Sequence, residues 1–195
     1  MNLGILEDME APELREYLRF LLWHYRVVDG FWFMSVEKRY GREITENLVK
    51  TVWGKIAGMS AEDLVKRFNI HEKGIKGLVS AFQFFPWTIL VGYHITETGD
   101  NEAFVTVPEC PAQVARVKLG LPEFHCRDMH RADFESFSHA IDPRIKVECL
   151  FCPPTIRQNF SVNGDSAFLL LHLNENRPDS ADIYVHASIY KQPDD

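Results

Sequence analysis

The chain has 195 residues and a mass of 22.6 kDa, the size of one ordinary domain with enough length to bury a core. Apolar residues make up 46% and charged residues 25%, with a mean hydropathy of -0.19, which excludes a disordered or collagen-like chain. Lys plus Arg number 21 against 28 Asp plus Glu, a net charge of -7, so a surface that neutralises many duplex phosphates is excluded too and nucleic acid is not an expected partner.

Glu7, Asp8 and Glu10 stand where a secretory leader would carry basic residues, so a cytoplasmic protein is expected. Apolar side chains then recur at helical spacing through Leu14, Leu18, Leu21, Leu22, Tyr25, Val28, Trp32 and Val36. This predicts a long helix starting near Pro12 and stopping at Gly41. Leu48, Val52 and Ile56 predict a second helix ending about Gly58, and Ser60 with Glu62 and Asp63 predicts the start of a third, fading near Ile70. Leu78, Phe82 and Phe85 mark a fourth, which Pro86 is expected to close. His24, Arg26 and Asp29 interrupt the first strongly apolar stretch, and Gln83 and Pro86 the second, so neither offers the roughly 18 apolar residues of a membrane span.

At Trp87 the period changes from about 3.6 to 2. Residues 87–96 and 103–107 are rich in β-branched and aromatic side chains, and Gly99, Asp100 and Asn101 between them read as a hairpin turn. Short helices are expected over 112–118 and 132–140, the second ended by Asp142-Pro143. Extended runs follow over 145–151, 167–173 and 183–190. The expected fold is a single α+β domain: N-terminal helices, about 12–85, covering an antiparallel β-sheet formed from residue 87 onward and enclosing an apolar cavity.

Four cysteines, Cys110, Cys126, Cys149 and Cys152, suit a reducing compartment better as thiols or metal ligands than as disulfides. Cys149 and Cys152 form a Cys-x-x-Cys pair, half of a zinc knuckle that Cys110 and Cys126 could complete with tetrahedral thiolate geometry. A redox dithiol and plain buried thiols are the other two readings of the same residues. His125 beside Cys126, with His130 and His139 further on, brings imidazoles near a thiol, the ingredients of nucleophilic or general-base catalysis, so Cys126 and His125 are the catalytic candidates.

Two further groups suggest a ligand site. Gln113 and Arg116 are three residues apart on one helix face, and the Arg116 guanidinium could grip a carboxylate through two parallel hydrogen bonds. Asp29 interrupts an apolar run between Trp23 and Trp32, where it is either paired with Arg26 or set as a polar anchor in an aromatic pocket. Ligand contact is therefore expected at Trp23, Asp29, Trp32, Gln113 and Arg116. The expected partner is a small molecule, with zinc as a candidate cofactor, and a homo-oligomer is left open.

Residues 26–33 (RVVDGFWF), 37–41, 110–120 (CPAQVARVKLG), 124–126 and 140–154 (AIDPRIKVECLFCPP) carry a resemblance. In their order the chain resembles a family of bacterial and archaeal cytosolic proteins related to L-2-amino-thiazoline-4-carboxylic acid hydrolase. It is more distantly similar to the 4-vinyl reductase domain and to haem–nitric-oxide-binding and transport-particle folds. The resemblance implies helices followed by an antiparallel sheet around an apolar cavity, and a hydrolase that opens a small cyclic amidine or related C–N bond. Members often have another cysteine before the penultimate strand, where this chain has Asp165-Ser166-Ala167.

Overall fold

A computed structural model describes residues 3–107, 110–152 and 167–173. A short turn of helix, α1 (Gly4–Glu7), precedes the long α2 (Ala11–Tyr40). Glu10 caps α2 in a reciprocal exchange with Glu13, and Pro12 in the first turn gives up an N–H that would have no partner there. Gly41 ends the helix at φ 80° and ψ 170°, a conformation open essentially to glycine alone, and so turns the chain directly into α3 (Arg42–Arg67).

Helix α3 runs without a break through Gly58 and Ser60, where the sequence suggested a stop and a restart. Gly58 is there for close packing. A Cβ on it would lie 2.5 Å from the Ser136 hydroxyl, and one on Gly54 would lie 3.4 Å from the Ala132 Cβ. With the fully buried Ala57 and Ala61, these glycines form a smooth stripe that lets α7 (Arg127–Ile141) settle tightly on α3.

After α4 (Gly74–Phe82) the proline at 86 opens a helix instead of closing one: α5 (Pro86–Val91) begins on it, with Phe85 extended as its cap. Residues 87–91 are therefore helical and not part of the predicted strand, which starts later as β1 (His94–Gly99). At the first helical position proline's missing donor costs nothing and its fixed φ favours the turn. The hairpin to β2 (Glu102–Val107) turns at Asp100 and Asn101 as expected. Then come α6 (Pro111–Lys118), α7, which starts five residues earlier than its periodicity suggested, β3 (Ile145–Phe151) and β4 (Ala167–Leu173). The extended run expected over 183–190 lies outside the described residues.

The four strands form one antiparallel sheet in the order β1-β2-β4-β3. On β2, Ala103, Val105 and Val107 are buried and their neighbours are not, the alternation of a sheet with one covered face. That face meets α4 and α7 through Ile75, Leu78, Phe82, Phe134, Phe137 and Ile141. The fold is thus α+β, with helices first. Helix α2 meets this core through Phe33, but none of its residues is fully buried, and Phe31 and Trp32 are 64% and 70% exposed. Among the described residues two grooves are open in part to solvent, and the expected enclosed cavity is not shown.

Candidate functional site

The segment between α6 and α7 is pinned from three directions. The Gln113 side chain donates to the Phe124 carbonyl (2.8 Å) and accepts from the Phe124 N–H (2.9 Å), replacing the backbone partner a strand would supply. Arg116 donates Nε–H to the Pro122 carbonyl (2.8 Å) and its planar fork to both carboxylate oxygens of Glu37 on α2 (2.6 and 2.9 Å). The guanidinium also lies over the Phe33 and Phe124 rings, at 5.4 and 6.0 Å, and those rings meet edge to face at 4.7 Å. The Arg116 and Glu37 side chains are 6% and 18% exposed. Hydrogen bonding to Arg116 holds the Glu37 carboxyl below its usual range against the opposing effect of burial. Gln113 and Arg116, expected as ligand anchors, thus have their polar groups engaged inside the protein; a ligand carboxylate on Arg116 would have to displace Glu37.

This pinned segment delivers Cys126 to the N-cap of α7. One helical turn on is His130, and at the next step along that face Asp133, with His130 Nδ1 3.5 Å from an Asp133 carboxylate oxygen. Cys152, just past the end of β3, donates its thiol to the Cys126 sulfur and also reaches Cys149; His130 bonds to Cys126 as well. Cys126 and Cys152 are 6% and 0% exposed. The hydrogen bond from Cys152, opposed by burial and reinforced by His130, lowers the Cys126 thiol below its ordinary range. As the donor, Cys152 is raised. Burial opposes a charged His130, but Asp133 and Cys126 outweigh it and hold the imidazole protonated well above its ordinary range. Cys110 lies at the edge of the group: burial raises its thiol, with smaller influences from His130 and Cys126.

The catalytic pair suggested by the sequence is divided by this geometry. His125 points away from Cys126 into a polar groove of about 370 Å³, where it lies 3.3 Å from Glu46 and 3.4 Å from Arg42. His130 is the imidazole that faces the thiol. The signal was present in the spacing, since Cys126, His130 and Asp133 fall at i, i+4 and i+7 of a helix. Among the described residues, no group of three or more His, Cys, Asp or Glu side chains is arranged to hold a metal ion.

Asp29 and Trp32 lie together in a second groove, between α2 and α3, of about 410 Å³. Its walls are apolar: Tyr25, Val28, Phe33, Leu48, Val52 and Trp53 contribute, and Asp29 is the carboxylate among them. Burial pushes the Asp29 carboxyl up to about 6. Trp23 does not line this groove; it is 51% exposed and packs against Phe20. Tyr25 and Trp53 meet edge to face at one end, with Trp87 of α5 behind them.

Residues 13–164 match a family described as "Family of unknown function (DUF6125)", and the chain belongs to that family. No curated protein matches it. Among solved structures, the chain is similar to a trafficking protein particle complex subunit 3 from Naegleria fowleri, solved covalently bound to palmitic acid. That match has 11% identity and a TM-score of 0.44, and covers 82% of this chain and 96% of that one. Among the described residues no helix is long and apolar enough to cross a membrane.

Proposed function

For this member of the DUF6125 family we propose a binding protein for a small, apolar organic cation, held in the α2–α3 groove with Asp29 as its counter-ion. The observation that carries this reading is a half-buried carboxylate set among Tyr25, Trp32 and Trp53 in an otherwise apolar groove. A carboxylate desolvated in such a place raises the energy of its ionised form, and a bound cation repays that cost. Aromatic faces attract the same charge through their quadrupoles. The net charge of -7 adds long-range attraction for a cation and none for an anion. Arg116, the group that would favour an acidic ligand, is already paired with Glu37.

Benzyltrimethylammonium and its uncharged carbon isostere neopentylbenzene test the proposal by titration against tryptophan fluorescence. The cation is expected to bind at pH 7 and to weaken by about tenfold per pH unit below the Asp29 value of about 6, because protonation removes the counter-ion. Asp29→Asn should lose at least tenfold and abolish that pH dependence. Trp32→Ala should weaken binding and Trp23→Ala should not. Equal affinity for the two probes, or unchanged binding to Asp29→Asn, would sink the reading.

A second reading is the hydrolase of a small cyclic amidine that the resemblance implies. The contact between Cys126 and His130 favours it, since a thiolate beside an imidazolium is an activated nucleophile. Ring opening of a cyclic amidine, lost in Cys126→Ser and His130→Gln, is the outcome that supports it.

A further inference from the structure

We propose that Cys126 and Cys152 are a redox pair, which a small hydroperoxide converts to a disulfide with His130 carrying the proton. This site is separate from the α2–α3 groove and does not depend on what binds there. The two sulfurs come from distant parts of the chain and are brought into hydrogen-bonding contact because α7 packs on β3. Two buried thiols in contact could serve merely as apolar fill. That account leaves unexplained why an imidazole and a carboxylate, each with its side chain only 12% exposed, stand 3.5 Å apart with the imidazole bonded to one of them. Removing such groups from water is costly, and handling a proton at the Cys126 sulfur gives both a use.

The state of the thiols agrees. Cys126 receives hydrogen bonds from Cys152 and His130, which lower its thiol against the opposing effect of burial and favour its thiolate. Its position at the start of α7 places the positive end of the helix beside that charge. His125 and Arg127, the residues on either side of it, line the polar groove of about 370 Å³. Cys126 itself is 6% exposed, so the reagent that oxidises it must be small, as hydrogen peroxide is.

The chemistry balances in two steps. The Cys126 thiolate attacks one peroxide oxygen; the O–O bond breaks, an S–O bond forms, and the departing hydroxide takes a proton from His130 and leaves as water. The Cys152 sulfur then attacks the Cys126 sulfenic acid, forming the S–S bond and breaking the S–O bond. The Cys152 proton passes through His130 to the released hydroxide, which leaves as a second water, and His130 ends neutral. Two thiols lose two electrons and one hydroperoxide gains them. A low-molecular-weight thiol restores the pair by exchange.

The full-length protein, treated with a small excess of hydrogen peroxide, is digested without reduction and analysed by mass spectrometry. Two of the four thiols should disappear, and the peptide containing Cys126 should be found joined to the peptide containing Cys149 and Cys152. Cys149→Ser should still give that link, which assigns it to Cys152. Excess glutathione should restore four thiols. In His130→Gln the rate of thiol loss should fall about tenfold, while far-UV circular dichroism stays as in the parent. Four thiols that persist, a bond confined to Cys149 and Cys152, or about one equivalent of zinc in the purified protein that must be chelated before peroxide acts would each overturn the proposal. The wild-type mapping needs no substituted protein, so a variant that fails to fold does not remove the test.

Discussion

Arg116→Ala should destabilise the protein by about 3 kcal/mol, which can be worked from what the guanidinium touches. It makes three hydrogen bonds, one to the Pro122 carbonyl and two to Glu37, with its side chain 6% exposed. Breaking a buried pair by removing one partner costs roughly 3–5 kcal/mol, because the other charge is left desolvated. The lower end applies here, since Glu37 is 18% exposed and keeps Arg42 at 3.7 Å. Arg116→Lys retains the charge but cannot reproduce the fork, so about 2 kcal/mol should go. In a chain of this length 3 kcal/mol corresponds to a fall in Tm of roughly 6–12 °C. The Glu37 carboxylate is held below its ordinary range. Its share of the stability is thus present at neutral pH and disappears as acid protonates it. Urea unfolding followed by tryptophan fluorescence and by circular dichroism measures these losses, and a double-mutant cycle with Glu37→Gln should give a coupling of about 2 kcal/mol. An Arg116→Ala protein within about 0.5 kcal/mol of the parent would refute the framework role and return the guanidinium to the ligand-anchor reading.

Asp142 accepts hydrogen bonds from the Gly74 N–H and from the backbone and side chain of Arg144, and is held down to about 2 from 3.8, with the Arg144 side chain the first cause. A depressed carboxyl stabilises above its unfolded value and stops doing so as pH falls through the folded one, so Asp142→Asn should cost about 2 kcal/mol at pH 7, a small fraction of that at the folded value of about 2 and nothing well below it, and flatten the acid limb of a stability profile. Gly58→Ala should destabilise by about 1–2 kcal/mol despite better helix propensity, because its Cβ meets the Ser136 hydroxyl at 2.5 Å. Ser136→Ala should rescue it in the double variant; a Gly58→Ala protein more stable than the parent in thermal unfolding would remove the close-packing argument.

The elements that were legible in the sequence are those whose signals act locally. The period from Leu14 to Val36, with Pro12 and Gly41 at its ends, sets α2 almost to the residue, and the extended run at 145–151 sets β3. The misreadings came where one residue type has two uses. Glycine ends helices and also lets them touch; Gly58 does the second because Ser136 is opposite, and that neighbour is not visible in the surrounding sequence. Proline can close a helix or open one, and at Pro86 it opens α5 although the stretch that follows is β-branched. Strand order β1-β2-β4-β3 depends on pairing across the whole sheet, which no local window contains.

The same contrast separates the residues of the candidate site. Gln113 and Arg116 share a helix face as their spacing said, but Arg116 meets a carboxylate 79 positions away on α2, and nothing in the spacing reveals it. Such a partner changes what the residue is for. With Glu37 in its fork, Arg116 does not wait for an anion; it ties α2 to the segment that ends at Cys126. Gln113 holds Phe124 in that same segment, and Asp142 ties the end of α7 to the start of α4. The most distinctive stretches of the sequence, 37–41, 110–120 and 140–154, therefore supply the clips that fix both ends of α7. A helix fixed at both ends and pressed against the glycine stripe of α3 has little freedom to turn about its axis, so Cys126, His130 and Asp133 keep one facing direction, toward Cys152 at the end of β3. By this argument, the precision of the thiol site is set by residues that never touch it.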